Sequence, residues 1–342
     1  MLTTWLTQKY GLDLPLVSAG MGFVALPPLV AAVSNAGGFG LLACGASPPA
    51  VLREMIRTTR RHTTRPFGIN LIIETTALGP LTTEEHVRVC MEEQVVAVVF
   101  FWAPPPASWI RELRQAQCDV WLQTSSVSTA KAAVSDGVDL IIAQGSEAGG
   151  HNRSTTGLFA LLPQMVDAVG PVPVVGAGGV ADGRGMAAAL CLGAAGVCVG
   201  TRLVASVEAN AHEEYKRRII QATENDIART CIFGPEWPDA PMRVIQNRVV
   251  REWAGNATQT PLQKYPDPIG TTILGGQQYA MPRFSAILPT VDTSGDFEEM
   301  CLPAGDSAPL VSSILTVQEV LRTMREEAEN IFSERRATAA SS

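Results

Sequence analysis

One histidine of this chain directly follows a pair of glycines, in the stretch "AQGSEAGGHNR" from Ala143 to Arg153. Histidine has an unperturbed pKa of about 6.5, so its imidazole is the side chain best poised for proton transfer near neutral pH. Gly149 and Gly150 leave flat space beside the backbone, against which a planar cofactor can lie. The pattern predicts His151 as an acid–base residue facing the reactive edge of such a cofactor. The alternative is a surface or hydrogen-bonded structural histidine.

Glycines also follow two later apolar runs, in "GAGGVADG" and "GVCVGT". Phosphate in α/β barrels is commonly bound by backbone N–H groups of the last two strand-to-helix loops, where glycine permits close approach. Gly178, Gly179 and Gly200 are therefore candidate phosphate-binding residues, and Thr201 adds a hydroxyl donor. Glycines that only make tight strand-to-helix turns are the alternative.

Other polar residues near the histidine are expected to have structural roles. Glu147 is expected to anchor its loop by accepting backbone N–H bonds, and Arg153 to be exposed and solvated. The other histidines, His62, His86 and His212, lie on predicted helices or loops away from the site.

Short apolar runs recur along the first two hundred residues and must position these groups. Continuous rather than alternating apolar strands are typical of a parallel sheet buried on both faces. The runs are Pro15–Gly20, Phe39–Gly45, Pro66–Ile72, Val95–Ala103, Asp119–Thr124, Asp139–Gly145, Pro171–Gly179 and Gly196–Thr201.

The segments between the runs have helical spacing and N-terminal signals. "SVSTAKAAVSDG" and "DGRGMAAALCLGA" begin with capping Ser and Asp residues, and Thr82 or Thr83 precedes Glu85 as in a capping box. Eight strand–helix repeats predict an α/β protein with a (β/α)8 TIM barrel, in preference to a doubly wound sheet.

Function in such a barrel lies at the carboxyl ends of the strands. The residues that the pattern places there, on which a cofactor site would draw, include Met21, Gly22, Asn70, Gln123, Gln144, Gly149, Gly150, Gly178, Gly179, Gly200 and Thr201.

The strand–helix pattern stops after Thr201. We expect barrel strands and cofactor site in residues 1–205, a helical and irregular insertion in 206–306, and the last barrel helix with a tail in 307–342. Within the insertion, Glu208 to about Asn225 is a predicted helix. The long irregular stretch Trp253–Asp306 is a candidate lid over the barrel mouth.

Composition excludes several classes of partner. The chain is 46% hydrophobic and has a net charge of −7, which opposes binding to nucleic acid or an anionic membrane. No apolar run approaches the ~18 residues that cross a bilayer, and the N-terminus lacks a signal-peptide layout. The seven cysteines show no C-x-x-C pair and no metal-ligand spacing, and are expected to be small core residues. A reduced, cytoplasmic protein is the expectation.

Several ordered motifs resemble the nitronate monooxygenase family, formerly called 2-nitropropane dioxygenases. "AQGSEAGGH" is similar to that family's signature, and "PLVSAGMG", "LVAAVSNAGGFGLLACG" and "PFGINL" to its N-terminal strands. "VPVVGAGGVADGRGMAAALCLGAAGVCVGTRL" resembles its phosphate region. The resemblance runs from about Leu14 to Val204 and resumes weakly at "MRVIQNRVVREW" and "PAGDSAPLV".

This resemblance implies a TIM barrel that binds FMN non-covalently and a catalytic histidine at His151. Family members oxidise alkyl nitronates with O2, and the histidine acts as base where a neutral nitroalkane must first lose its α-proton. The implied flavin contacts are Met21 and Gly22 by the ring, Asn70 and Gln144 hydrogen-bonded to it, Gly149 lining its face, and Gly179, Gly200 and Thr201 at the phosphate. On this basis a valine at Gly149 is expected to abolish flavin binding by filling the space of the ring.

Three alternatives stay open. The first is an FMN-dependent enoyl-thioester reductase, a related group of enzymes that shares the signature and uses NAD(P)H. The sequence is compatible with use of NAD(P)H and with assembly as a homodimer. A flavin-free lyase or isomerase acting on a phosphorylated sugar, and a non-catalytic flavin-binding protein, are the others. The chain departs from the family pattern at "HNRS" and at "FFWAPPP", where Phe101, Trp102 and three prolines are expected to narrow the substrate side.

Overall fold

Eight parallel strands form the centre of the computed structural model, which describes residues 2–45, 47–76, 79–261 and 267–341. Each strand lies within a predicted apolar run. In chain order the barrel strands are Leu16–Ser18, Gly40–Ala43, Phe67–Ile72, Ala97–Phe101, Asp119–Thr124, Leu140–Gln144, Val174–Ala177 and Gly196–Val199.

The sheet closes into a barrel between its first and second strands. The first strand pairs with the eighth, and a parallel bridge from Val17 to Phe39 joins it to the start of the second. The N–H of Ser18 donates to the carbonyl of Phe39 at 3.0 Å, and that of Phe39 to Leu16 at 2.8 Å. The predicted (β/α)8 barrel is confirmed, and the doubly wound alternative is wrong.

A short helix, Trp5–Tyr10, closes the amino-terminal end of the barrel. Tyr10 packs against Phe39 and Trp121, and its hydroxyl donates to Asp119 at 2.5 Å. Leu6 is fully buried within the inner core. Because this end is filled by side chains, a ligand site must form at the opposite end, where the strands end.

Helices surround the barrel, and the last of them comes from beyond the insertion. They are Pro27–Asn35, Pro49–His62, Glu84–Glu92, Ala107–Gln115, Val127–Ser135, Leu158–Val169, Gly183–Cys191 and Val317–Ser341. Ser126 and Asp182 cap their helices as predicted. The capping box of helix Glu84–Glu92 differs from the predicted one. Its partner for Thr83 is His86 and not Glu85, because residue 86 is the third helical position; the Nδ1 of His86 accepts from the Thr83 N–H at 3.1 Å.

The insertion is more regular than expected. Strand Met242–Ile245 pairs antiparallel with Ile227–Thr230 and with Gly150–His151, and a second sheet joins Gly270–Leu274, Gln277–Met281 and Ser294–Gly295. Helix Glu213–Gln221 is shorter than predicted, because His212 caps it by accepting from the N–H of Glu214. Within the candidate lid, residues 262–266 lie outside the described chain.

The cysteines divide into two groups. Five are buried, as expected of small core residues, but Cys191 at the end of its helix is exposed and Cys231 is half-buried. In the described residues, no helix combines the length and apolar character needed to span a bilayer.

Glu93 joins two neighbouring helices. Its buried carboxylate lies within 3.1 Å of the guanidinium groups of Arg53, Arg57 and Arg60. We expect Glu93→Ala to lower the free energy of unfolding by about 2 kcal/mol, because Arg57 and Arg60 lose this carboxylate and Arg53 keeps Glu92 as its partner. Urea unfolding measures this, with Glu54→Ala at an exposed ion pair as control, which should cost less than about 0.5 kcal/mol. Equal losses would contradict the prediction.

Candidate active site

The loop that carries His151 begins where the sixth barrel strand ends, and Asn152 holds its shape. The buried amide Nδ2 of Asn152 lies 2.9 Å from the carbonyl oxygen of Gly145, 3.3 Å from that of Ser146 and 3.1 Å from that of Ala148. One side chain thus satisfies carbonyls along the whole turn. The sequence analysis missed this role, although the unusual "HNRS" was the signal.

The insertion fixes the histidine from the other side. Met242 is the antiparallel partner of His151, and Arg243 that of Gly150. Arg229 donates to the carbonyl oxygens of Asn152 and Ser154 at 3.2 and 2.7 Å. The position of His151 therefore depends on residues about eighty to ninety positions later in the chain.

Gln144 and Glu147 support the same loop. The Nε2 of Gln144 donates to the carbonyl oxygen of His151 at 3.2 Å. Both carboxylate oxygens of Glu147 accept from the N–H of Leu158, at 2.8 and 2.9 Å, at the start of the following helix. The predicted anchoring role of Glu147 is confirmed.

The imidazole of His151 is shielded and uncharged. Its Nε2 is buried and has no hydrogen-bond partner among the described residues. Trp237 stacks on the ring at 4.2 Å between centroids, and Trp102 meets it edge-on at 5.8 Å. Burial lowers the pKa of His151 to about 4, so the ring is neutral at pH 7 and able to accept a proton.

The depressed pKa of His151 makes stability depend on pH. Between about pH 6.5 and pH 4 the unfolded chain binds a proton at this residue and the folded chain does not, so stability falls as the pH falls. We expect the wild type to lose about 2 kcal/mol more than His151→Gln between about pH 7.5 and pH 5, measured by urea unfolding. The exposed His62→Gln is the matched control, and a similar change of slope there would contradict the assignment.

The seventh and eighth strands bring the two glycine loops together. Ala177 is the register partner of Cys198, so Gly178 and Gly200 begin neighbouring loops. The backbone of Gly178 has φ +105° and that of Gly179 +72°, a region that favours glycine. The hydroxyl oxygen of Thr201 accepts from the N–H of Gly305 at 3.0 Å, which leaves its own hydrogen available to a ligand.

Some of the candidate glycines are required by the protein itself. A Cβ at Gly149 would lie 2.6 Å from the nitrogen of Gly305 and 2.7 Å from the carbonyl carbon of Ala304. A Cβ at Gly178 would lie 2.9 Å from the nitrogen of Ala148. Gly149 is therefore explained by the close approach of the segment Ala304–Asp306, which we call the strap, and not by cofactor space alone.

Gly22 and Gly200 have no such explanation. Apart from adjacent residues, no atom of the described chain lies within 4 Å of where a Cβ of Gly22 would be. At Gly200 the nearest are Ala19 Cβ at 3.4 Å and Met21 Sδ at 3.7 Å, and the φ of −110° is open to other residues. Open space beside glycines at the barrel mouth fits a bound flavin mononucleotide, which needs close backbone approach there.

The remaining predicted residues lie at the same end of the barrel. Asn70 is buried, with its Nδ2 3.5 Å from the carbonyl of Val99, and it fills the space that a side chain at Gly20 would occupy. Met21 is half-buried beside Gly200. Gln123 is half-buried on the fifth strand, where Phe101 is its neighbour in register.

Trp102 and Trp237 form an aromatic wall beside His151. Their rings lie 4.6 Å apart, and Trp102 has the strained φ of +82°. The indole N–H of Trp102 donates to Glu74 at 2.7 Å, and the guanidinium of Arg153 stacks 3.8 Å from its ring centre. Arg153 is exposed, as expected from sequence, and its guanidinium also lies against this wall. Trp237 was missed, because it lies in the insertion ahead of the predicted lid.

The strap also lies at the mouth. The N–H of Asp306 donates to the carbonyl of Glu147 at 2.9 Å, and Arg243 pairs with the Asp306 carboxylate at 2.9 Å. Among the described residues of the predicted lid Trp253–Asp306, its end contacts the histidine and phosphate loops in this way, whereas most of the hairpin Gly270–Met281 is exposed.

The chain is similar to characterised families along almost its whole length. The family model described as nitronate monooxygenase matches residues 3–327. A probable nitronate monooxygenase of Bacillus subtilis is 29% identical over 361 residues, covering 94% of this chain and 97% of the relative. The solved nitroalkane oxidase of Streptomyces ansochromogenes is 26% identical, with a TM-score of 0.79 over 96% of this chain and 99% of its own.

A further relative has a different kind of substrate in its name. The (3aS,4S,5R,7aS)-5-hydroxy-7a-methyl-1-oxo-octahydro-1H-indene-4-carboxyl-CoA dehydrogenase of Mycobacterium tuberculosis is 35% identical over 254 residues, covering 73% of this chain and 68% of the relative. Similar chains thus include proteins named for nitro compounds and one named for a CoA thioester.

Proposed function

The chain belongs to the nitronate monooxygenase family and is an oxidoreductase, and we propose that it binds FMN and oxidises alkyl nitronates, or the nitroalkanes that form them, with O2. The observation that carries the proposal is the neutral, buried Nε2 of His151, which lacks a partner among the described residues. A buried polar atom without a partner is costly, and it is expected where a ligand completes the site.

The residues at the barrel mouth fit FMN. Gly22 and Gly200 leave space that packing does not require, and Gly178, Gly179 and Thr201 would hold the phosphate. The side-chain amides of Asn70, Gln123 and Gln144 would hydrogen-bond to the ring. Met21, Gly149 and Gly150 would line it. Bound FMN would supply the redox chemistry that no protein side chain provides.

His151 would act on the neutral nitroalkane. Its Nε2 accepts the α-proton as the C–H bond breaks, and the electron pair moves into the nitro group to give the nitronate. The imidazolium formed in a dry site is stabilised by the nitronate beside it. Trp102 and Trp237 keep water from the ring. A preformed nitronate needs no such base.

A second candidate is a flavin oxidoreductase acting on a CoA or other enoyl thioester. The relative named as a carboxyl-CoA dehydrogenase favours it, and the sequence signature is shared with enoyl-thioester reductases that use NAD(P)H. In that reading His151 would donate or accept a proton on the acyl chain.

An anaerobic visible spectrum of the purified protein, supplied with FMN and recorded before and after adding an alkyl nitronate, tests the proposal. We expect a yellow protein that loses its flavin absorption with the nitronate and regains it with O2. A folded protein that retains no FMN would overturn the proposal. A yellow protein that responds only to NAD(P)H and an enoyl thioester would transfer it to the second candidate.

A further inference from the structure

A pocket of about 270 Å³ lies beside the aromatic wall, and His151 is not among its lining residues. Trp102 and Trp237, which both contact the imidazole, also line this pocket. A substrate whose reacting carbon is at His151 and whose chain passes these two rings would place its distal part here. Its other lining residues are Glu74, Thr75, Thr76, Arg153, Glu236, Pro238, Asp239 and Ala240.

Two of the charges in the lining are already compensated. The carboxylate of Glu74 accepts from the N–H of Thr75 at 2.8 Å and from the indole of Trp102 at 2.7 Å. Arg153 is stacked on Trp102, with a guanidinium nitrogen 4.0 Å from the same carboxylate. These groups hold the wall, and together they add no net charge to the pocket.

The other two charges are both negative and come from one loop. Within the described chain, the half-buried carboxylate of Glu236 has neither a hydrogen-bond nor an ion-pair partner. Asp239 accepts from the N–H of Thr260 at 3.3 Å through one oxygen, which leaves the other available. The pocket therefore offers a formal charge of −2 beside two indole rings.

We propose that this pocket binds the distal part of the substrate and selects tails that carry an ammonium group, or no charge, over tails that carry a carboxylate or phosphate. This inference rests on the proposed function of His151. Carboxylates beside aromatic rings are the chemistry that recognises an organic cation. The same charges repel the phosphates of CoA and of NADP, so the pocket disfavours them as tails.

The test compares three nitronates of matched length, those of 6-nitrohexan-1-amine, 1-nitroheptane and 6-nitrohexanoate. With the FMN-loaded protein at low salt, we expect kcat/KM for the ammonium compound to exceed that for the carboxylate compound by at least about 10-fold. In the double variant Glu236→Gln, Asp239→Asn the ratio should fall to within about 2-fold. Glu112→Gln, which removes an exposed carboxylate on an outer helix, should keep the wild-type ratio.

Equal or reversed preference in an active wild-type protein would overturn the inference. If the protein turns over none of the three nitronates, the proposed function fails, and binding still tests the pocket. Calorimetric titration with 2-phenylethylammonium and with 3-phenylpropionate should give a Kd at least about 5-fold lower for the cation. That difference should disappear in the double variant, and equal binding of both probes to the wild type would contradict the pocket's charge selection.

Discussion

His151→Ala will lower kcat/KM for neutral nitroalkanes by about 10²- to 10⁴-fold, the contribution typical of a general base. The loss on preformed nitronates will be much smaller, because they have already lost the α-proton. The buried, unpartnered Nε2 is the atom that accepts that proton, and no second imidazole lies on the described loops of the site. Steady-state oxygen uptake with a nitroalkane and with its nitronate measures both values.

The comparison contains its own control. FMN content of the variant should equal that of the wild type, because the imidazole is not among the groups proposed to hold the cofactor. Equal losses on nitroalkane and nitronate would mean that His151 positions the substrate and does not take its proton. Loss of FMN from the variant would mean that the histidine shapes the cofactor site.

The second large effect separates the glycines into two classes. Gly200→Ala and Gly22→Ala should leave the apoprotein as stable as the wild type within about 0.5 kcal/mol, since their Cβ atoms meet no close protein atom. Both should raise the Kd for FMN by about 5- to 150-fold, the range that corresponds to the 1–3 kcal/mol typical of overpacking.

Gly149→Ala should behave in the opposite way. Its Cβ would lie 2.6 Å from backbone that cannot rotate aside, so the apoprotein itself should lose more than about 3 kcal/mol. Urea unfolding of the apoproteins and fluorescence titration with FMN measure both quantities for all three variants. A stable Gly149→Ala protein, or a Gly200→Ala protein with normal FMN affinity, would contradict this division. The same collision with the strap gives a different reason for a valine at residue 149 to abolish flavin binding: the valine would disrupt the protein itself, in addition to filling the space of the ring.

The barrel could be predicted because its signals are local. Buried parallel strands need continuous apolar runs, and all eight runs contain a strand. Ser126 and Asp182 mark the starts of their helices, because each side chain accepts a hydrogen bond from a backbone N–H only two or three residues later in the sequence. The predicted site residues at the strand ends follow from the same topology.

The insertion was harder because its order comes from distant partners. Strand Met242–Ile245 pairs with the histidine loop, and nothing in either segment indicates the other. One signal was available: Gly275 and Gly276, both with positive φ, join the two strands of a hairpin as a glycine pair typically does.

Trp237 and Asn152 show the same limit at the site. Trp237 lies 86 residues after the imidazole on which it stacks, so no spacing rule brings it there. Asn152 stands next to His151, but its three carbonyl acceptors exist only once the loop has turned back on itself. Packing between segments, which sequence periodicity does not encode, decides both.

The backbones of Gly149 and Gly305 pack against each other so closely that a Cβ on either residue would collide with the backbone of the other. The barrel and its insertion therefore cannot be exchanged independently between related proteins. A chimera that joins this insertion to a related barrel must therefore keep glycine at both positions. A larger residue at one position cannot be compensated by a substitution at the other, because glycine there is already the smallest residue. In directed evolution the two glycines, which lie 156 positions apart in the chain, must both be kept.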